Sequence, residues 1–383
     1  MGDAIIKAGF DVVESATNHA DDYGYDYLKS TLDFWSTNYP DIPVLGIHAT
    51  QEDADTVKVK EVNGIKIAFL DYTYGTNNSG AGEGYEYMID IFDKDKITTM
   101  IQKAKEISDC IIFVAHWGTE DETMPNEYEK QWAAFLMQQG VDVIIGGHPH
   151  VLQPYGQLSD DQGHNTTIFY SLGNFVSTQQ ELPELLEGMA SFTIQKSTLN
   201  GKSTIQILSP EVKPMVMHYN HDNGEYGPYM LDDYTEELAS SHSVRNVIGD
   251  EFTLDNLKAK FKEIMSMNVK PSTNTNLLNV KFDWVGNMID KTTGNMSQMN
   301  ISTIANQGQS RKFYFIDKKL EDITNQLERH FQKKIVITNP QLKSIKYDAI
   351  FANDETIEQI LNYLNASQQM SIIYHDNTTI EIR

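Results

Sequence analysis

What most constrains this chain is a unit that recurs along roughly its first 210 residues: a short apolar, β-rich run that stops abruptly at polar residues, with amphipathic helix patterns between the runs. The runs are Phe10 to Ala16, Ile65 to Leu70, Ile111 to Ala115, Val141 to Gly146 and Thr167 to Leu172. Between them, Ile97, Met100, Ile101, Ala104 and Ile107 fall on one helical face, and Tyr128, Trp132, Phe135 and Leu136 on another. Strands and helices alternating in this way predict a layered α/β domain whose sheet is at least partly parallel. Near Ser191 the pattern changes to two alternating strands, SFTIQK and STIQIL, joined through Leu199-Asn200-Gly201, where Asn-Gly is a hairpin signal. A helix over Leu254 to Met265 closes this region.

Length and charge divide the chain further. At 383 residues it exceeds one ordinary domain. The segment from Arg311 to Arg383 holds ten basic and ten acidic residues, so the 20 basic and 44 acidic residues before it carry the whole formal charge of −24. Residues 271–310 are rich in Asn, Ser, Thr, Met and Gly with little periodicity and are predicted to be linker, with a strand within 280–285. Residues 311–383 read β-α-β-β-α-β-β, with Leu320, Ile323, Leu327 and Phe331 on one helical face and a final hairpin around Asp376-Asn377. The predicted division is 1–270, linker 271–310, and 311–383. The net charge opposes nucleic acid as a partner. No apolar run reaches the ~20 residues needed to span a bilayer. The single cysteine, Cys110, excludes an internal disulfide framework and is expected to be a buried small hydrophobe.

In open α/β sheets, ligands bind beyond the carboxyl ends of the strands. The residues there are Asn18-His19, Asp71-Tyr72-Thr73, His116-Trp117-Gly118, His148-Pro149-His150 and Gly173-Asn174. Three of these five ends deliver histidine, and imidazole with an amide or carboxylate oxygen is the donor set of zinc, manganese and iron sites. Past the strand end, with Gly146-Gly147 before and Pro149 between, His148 and His150 are free to turn toward one site. An isolated Asn-His is more often a turn or cap, and a histidine ending an apolar strand is as often a packed one. The pair in GGHPH makes a poor structural core and is read as functional. The acidic run Glu120 to Glu129 is read as a solvated helix start, and His48, His164, His218, His221, His242, His330 and His375 as surface or packing residues.

The segments AGFDVVESATNHADDYG, FVAHWGTE, GVDVIIGGHPHVLQP and FYSLGNFV, in this order and spacing, resemble the successive signatures of the CapA family of bacterial poly-gamma-glutamate capsule proteins, within the calcineurin-like metallophosphatase superfamily. The resemblance covers roughly residues 1–270. It implies a metallophosphatase-like α/β/β/α sandwich, with Asn18, His116, His148 and His150 at metal-ligand positions and His19 acting on the leaving group. Glu120 and Asn174 are candidates for a layer behind the ligands. The implied cofactor is a divalent metal, Mn, Fe or Zn. Family members begin with a strand ending in Gly-Asp that supplies further ligands, and this chain starts at the helix before Asn18. The expectation is therefore an N-terminally incomplete sandwich, with a metal centre lacking those ligands and negligible turnover of a simple phosphate ester.

Residues 311–383 resemble the C-terminal domain of FecR-type anti-sigma regulators, similar to the short secretin and TonB N-terminal domain, which implies a small α+β interaction domain. Two functional readings follow from the resemblances. One is a metal-dependent, phosphoesterase-like hydrolase in capsule biosynthesis or export, acting on a phosphoester or anionic envelope polymer. The other is a noncatalytic envelope module that binds polymer or, through 311–383, a partner protein. Both place the protein in the cell envelope on its extracytoplasmic side.

Overall fold

The computed structural model describes residues 2–77, 84–160, 163–199, 202–272, 280–282, 288–290, 313–331, 333–351, 356–365, 370–375 and 379–383. The chain divides into two compact units, Met1–Met296 and Ser297–Arg383, so the division falls inside the segment expected to be linker.

The first unit opens with α1 (Gly2–Lys7), β1 (Val13–Glu14), α2 (Gly24–Asn38), β2 (Val44–Leu45) and α3 (Gln51–Ala54). The layered part follows as β3 (Lys58–Val62), β4 (Ile65–Thr73), α4 (Lys94–Ile107), β5 (Cys110–His116), α5 (Glu127–Gln138), β6 (Val143–Gly147), β7 (Tyr155–Ser159) and β8 (Asn165–Phe169). These strands form one six-stranded sheet in the order β3-β4-β5-β6-β8-β7. The inner pairs β4–β5, β5–β6 and β6–β8 are parallel, and both edge strands run antiparallel to their neighbours.

Successive side chains of a strand point to opposite faces, and the inner strands are apolar on both. Ala68, Leu70, Tyr72, Ile111, Phe113, Ala115, Ile144 and Ile168 face α4 and α5, packing with Ile97, Met100, Ile101, Trp132 and Leu136. Cys110, Ile112, Val143 and Phe169 face the other way, into a second core. That core is closed by β9 (Leu186–Leu199), β10 (Lys202–Asn220) and β11 (Glu225–Met230), a three-stranded antiparallel sheet, with α6 (Glu236–Ser241), α7 (Arg245–Ile248) and α8 (Leu254–Met265). Leu182, Leu185, Val216, Met217, Phe252, Leu257 and Ile264 supply its apolar surface. The result is an α/β/β/α sandwich. Residues 200 and 201, the expected hairpin turn, lie outside the described residues; Leu199 and Lys202 on either side of them pair. Between Leu208 and Glu211 the long hairpin carries a register shift, and Ser209 there has φ 50°.

Three expectations need correcting. Of the run Phe10 to Ala16, only Val13–Glu14 is strand, and it pairs with Val44–Leu45 in a separate parallel ladder instead of joining the main sheet. The backbone donors of Ser15 and Ala16 are taken by the Asp71 carboxylate, at 2.9 and 3.0 Å, which ends the strand. Ile107, the last residue of α4, is 48% exposed, beyond the reach of the sheet. Glu129 is no solvated helix residue but fully buried, where it closes a capping box with Asn126 at the start of α5.

After β12 (Val280–Phe282) and β13 (Met288–Asp290), an antiparallel pair, come the elements of the second unit. They are β14 (Phe313–Lys319), α9 (Leu320–Phe331), β15 (Lys334–Ile337), β16 (Lys346–Phe351), α10 (Ile357–Leu364), β17 (Ile372–Tyr374) and β18 (Thr379–Ile382). β14 pairs antiparallel with β16, and β15, β18 and β17 form a mixed sheet. Leu320, Ile323 and Leu327 of α9 meet Ile357, Ile360, Leu361 and Leu364 of α10 and Ile380 and Ile382 of β18 in one apolar core. The turn at residues 376–378 is outside the described residues. Among the described residues no helix is long and apolar enough to cross a membrane.

Candidate metal centre

Because β4, β5, β6 and β8 are parallel or nearly so in register, their carboxyl ends release loops on one rim of the sheet. His116 is the last residue of β5, His148 and His150 follow β6, and Asn174 follows β8. Asn18 arrives from outside the sheet. The Asp71 carboxylate at the end of β4 clamps the backbone of Ser15 and Ala16, and Gly46, with φ 74°, leaves it room: a Cβ there would stand 2.5 Å from Asp71 Oδ2 and 2.4 Å from the Ala16 Cβ.

The clamp delivers Asn18, which is buried, with its Oδ1 2.9 Å from His116 Nε2. Asn18 Nδ2 donates to Asn77 Oδ1 at 3.1 Å, and Asn77 N donates to the Asn18 carbonyl at 2.7 Å, so the loop after β4 holds the amide from two sides. The His116 and His148 rings lie 4.8 Å apart, and those of His148 and His150 6.1 Å. Tyr74 lies against both sides of this pair, 4.7 Å from the His148 ring and stacked at 6.5 Å on His116. Gly146 makes this convergence sterically feasible, since a Cβ there would stand 1.9 Å from the Tyr170 carbonyl and 2.6 Å from Trp117 Nε1.

His148 and His150 both adopt left-handed backbone, with φ 98° and 60°. Non-glycine residues held there cost of order 1–3 kcal/mol each and cluster at functional sites. His150 Nδ1 meets Asn174 Oδ1 at 2.8 Å, which orients the ring and leaves Nε2 for a ligand. Asn174 Nδ2 in turn donates to the carbonyls of His150 and Glu184 and to Gln179. His148 Nδ1 is buried without a hydrogen-bond partner. Burial, reinforced by the neighbouring imidazoles, holds His116 well below the ordinary histidine range and pushes His148 down to about 3. Both are therefore neutral near pH 7, as a metal ligand must be.

His19 is exposed at the rim, its Nδ1 2.7 Å from Asp22 Oδ2 and 3.1 Å from Asn77 Nδ2. With Nδ1 engaged by Asp22, Nε2 is the nitrogen left for proton transfer. Glu120 lies on the loop after β5, and one ligand atom each from Glu120, His148 and His150 lie within 4.8 Å of one another. Sequence reasoning missed Asn77 and Tyr74. Both sit just past the end of β4, where the strand-end rule already directed attention to Asp71, Tyr72 and Thr73.

A family model described as bacterial capsule synthesis protein PGA_cap matches residues 1–179, and one described as FecR, C-terminal, matches residues 312–382. PGA biosynthesis protein CapA of Bacillus subtilis is 35% identical over 170 residues, 44% of this chain and 43% of that protein. Capsule biosynthesis protein CapA of Bacillus anthracis is 31% identical over 180 residues, 46% and 42% of the two chains. The chain thus spans less than half the length of these curated relatives. Solved structures that align over part of the chain include the NAD nucleotidase of Haemophilus influenzae, at 14% identity, TM-score 0.35, over 68% of this chain and 52% of that one. A putative 5′-nucleotidase of Staphylococcus aureus aligns at 19% identity, TM-score 0.35, over 55% and 39%. The fold description rests on the two sheets and their helices rather than on these alignments. The stretch matched by PGA_cap includes the rim that carries Asn18, His116, His148, His150 and Asn174, so in its N-terminal part the chain is similar to the CapA capsule synthesis proteins, and in its last 70-odd residues to the FecR C-terminal domain.

Proposed function

We propose that the N-terminal unit is a divalent-metal site serving hydrolysis or transfer at a phosphoester in the making or export of an envelope polymer, poly-gamma-glutamate by likeness to the CapA relatives. The observation that carries this reading is the convergence of Asn18 and His116, hydrogen-bonded through Oδ1 and Nε2 at 2.9 Å, with His148 and His150 on one rim. Two adjacent ligands of one ion, each about 2.1 Å from it, stand roughly 3 Å apart, so this pair has the spacing of a shared ion. The neutral imidazoles, the orphaned His148 Nδ1 and the amide oxygen fit Mn, Fe or Zn.

Asn18, His116, His148 and His150 would hold the metal. When bound, it would polarise a phosphoryl oxygen and lower the pKa of a water. The chain's own groups do the rest. His19, steadied by Asp22, gives a proton to the leaving oxygen through Nε2. Asn77 and Asn174 fix the rotamers of Asn18 and His150. On this reading the protein works on the extracytoplasmic side of the envelope.

A second reading, a binding module without turnover, is favoured by the FecR-type domain over residues 312–382, a protein-interaction unit by resemblance. Hydrolysis of p-nitrophenyl phosphate by the full chain with Mn²⁺ separates the two. Turnover lost in both His148→Ala and His19→Ala supports the phosphoesterase. Metal bound stoichiometrically with no turnover supports the binding module.

A further inference from the structure

The loop after β5 is tied to the histidine loop at three points. Trp117 N donates to the Gly147 carbonyl at 3.0 Å, Asp121 N to the Pro149 carbonyl at 2.8 Å, and Gln153 Nε2 to the Glu122 carbonyl at 2.9 Å. Glu120 is thereby carried beside His148 and His150. Asp121 pays its share of strain, with φ 64°, so that three of the five left-handed non-glycine residues among those described lie in these two loops. The bond from Asn126 Nδ2 to Thr119 Oγ1, 3.0 Å, holds the other side of Glu120.

Among the described residues Glu120 has no ion-pair partner, and it is exposed. It faces two imidazoles, one with an unpartnered buried nitrogen and one whose free nitrogen is set by Asn174. The ligand atoms of the three residues lie within 4.8 Å of one another. Three ligands of a single ion stand about 3.0–3.4 Å apart at bond lengths near 2.1 Å. From within 4.8 Å the three atoms must draw closer by up to about 1.5 Å, and the exposed Glu120 side chain is free to rotate toward the histidines.

We infer that Glu120 is a direct metal ligand, and that Glu120, His148 and His150 form a two-histidine, one-carboxylate triad for a borderline divalent cation such as Zn²⁺. This rests on the metal reading above but makes a ligand of a residue that the sequence reading placed behind the ligands. Two imidazoles and one carboxylate leave coordination positions open, as in catalytic rather than structural zinc sites. Glu120 thereby adds a carboxylate to the donors Asn18, His116, His148 and His150.

The test is titration of the chelator-treated full chain with Zn²⁺ by calorimetry and with Co²⁺ by visible absorption, with circular dichroism confirming the fold of each variant. Wild type should bind at least one ion per chain. Glu120→Gln should weaken binding by more than roughly 100-fold, beyond the ten- to hundred-fold that outer-shell changes cost. Glu120→Asp should recover part of it, and the Co²⁺ bands should change in Glu120→Gln. Unchanged Co²⁺ bands or unchanged affinity in Glu120→Gln, while His148→Ala abolishes binding, overturns the Glu120 assignment and leaves the metal reading standing. A wild-type chain that binds neither ion overturns both.

Discussion

Glu129 shows how much one side chain departs from its sequence pattern. Its Oε2 accepts from Asn126 N at 2.7 Å, while its Oε1 and the Oε1 of Gln153 are both buried without a partner. Burial disfavours the ionised form more than hydrogen bonds from Asn126 and Gln153 favour it, and the protonated form carries an O–H donor. Burial raises the group to about 8, from an ordinary 4.5. A raised folded-state value means stability that is full below pH 4.5 and is lost as pH rises through about 8. Glu129→Gln keeps the cap and the donor without the charge. The variant should therefore melt higher than wild type at pH 9, by the order of a few kcal/mol, and match it near pH 5. Equal melting curves at pH 9 would show that the carboxyl ionises at no cost. Nothing in the acidic stretch Glu120 to Glu129 announced this, because what buries Glu129 is Gly118, whose missing Cβ would stand 2.8 Å from the carboxylate.

Among the elements, those read from periodicity alone were the ones whose two faces are both spoken for. β5 sends Ile111, Phe113 and Ala115 one way and Cys110 and Ile112 the other, and α8 spans the Leu254 to Met265 expected of it. The edge strands β3 and β7 were illegible because one side of each is solvent and their sequences, KVKEV and YGQLS, carry little apolar signal. The site was legible where the ligand is the strand-end residue itself, as at His116. It was illegible at Asn77, whose place depends on a bond to Asn18 across 59 residues. The junction of β10 and α6 hides another titrating group. His242 Nδ1 accepts from Val244 N at 2.9 Å and Nε2 meets the Met217 carbonyl at 3.0 Å, which fixes the neutral tautomer. Burial lowers it to about 4, from 6.5. Its contribution is present above pH 6.5 and is lost as pH falls through 4, at most about 3 kcal/mol. Urea midpoints at pH 7 and pH 4 should differ more in wild type than in His242→Gln; identical differences would remove His242 from the acid limb.

At the scale of the molecule, the division between the two compact units at Met296–Ser297 precedes the charge boundary near 310 by 14 residues. The second unit closes its own core over α9 and α10, with Leu320, Ile323, Leu327, Ile360 and Leu361 almost wholly buried. The fragment 311–383 should therefore show a cooperative thermal transition and dispersed amide resonances. Leu327→Asp, which buries a charge on α9, should abolish both. A wild-type fragment without a transition would mean that the units share a core. The rim of the first unit has a consequence in time. Asn18 meets His116 across 98 residues, with the parallel pairing of β4 and β5 between them, and His148 and His150 need a second, β5 with β6, before they reach the rim. Such contacts form late. The donors of the rim are therefore expected to come together only once β5 and β6 have docked. On the metal reading proposed above, and unlike a zinc finger whose ion nucleates the fold, uptake should follow folding and report its end rather than its start.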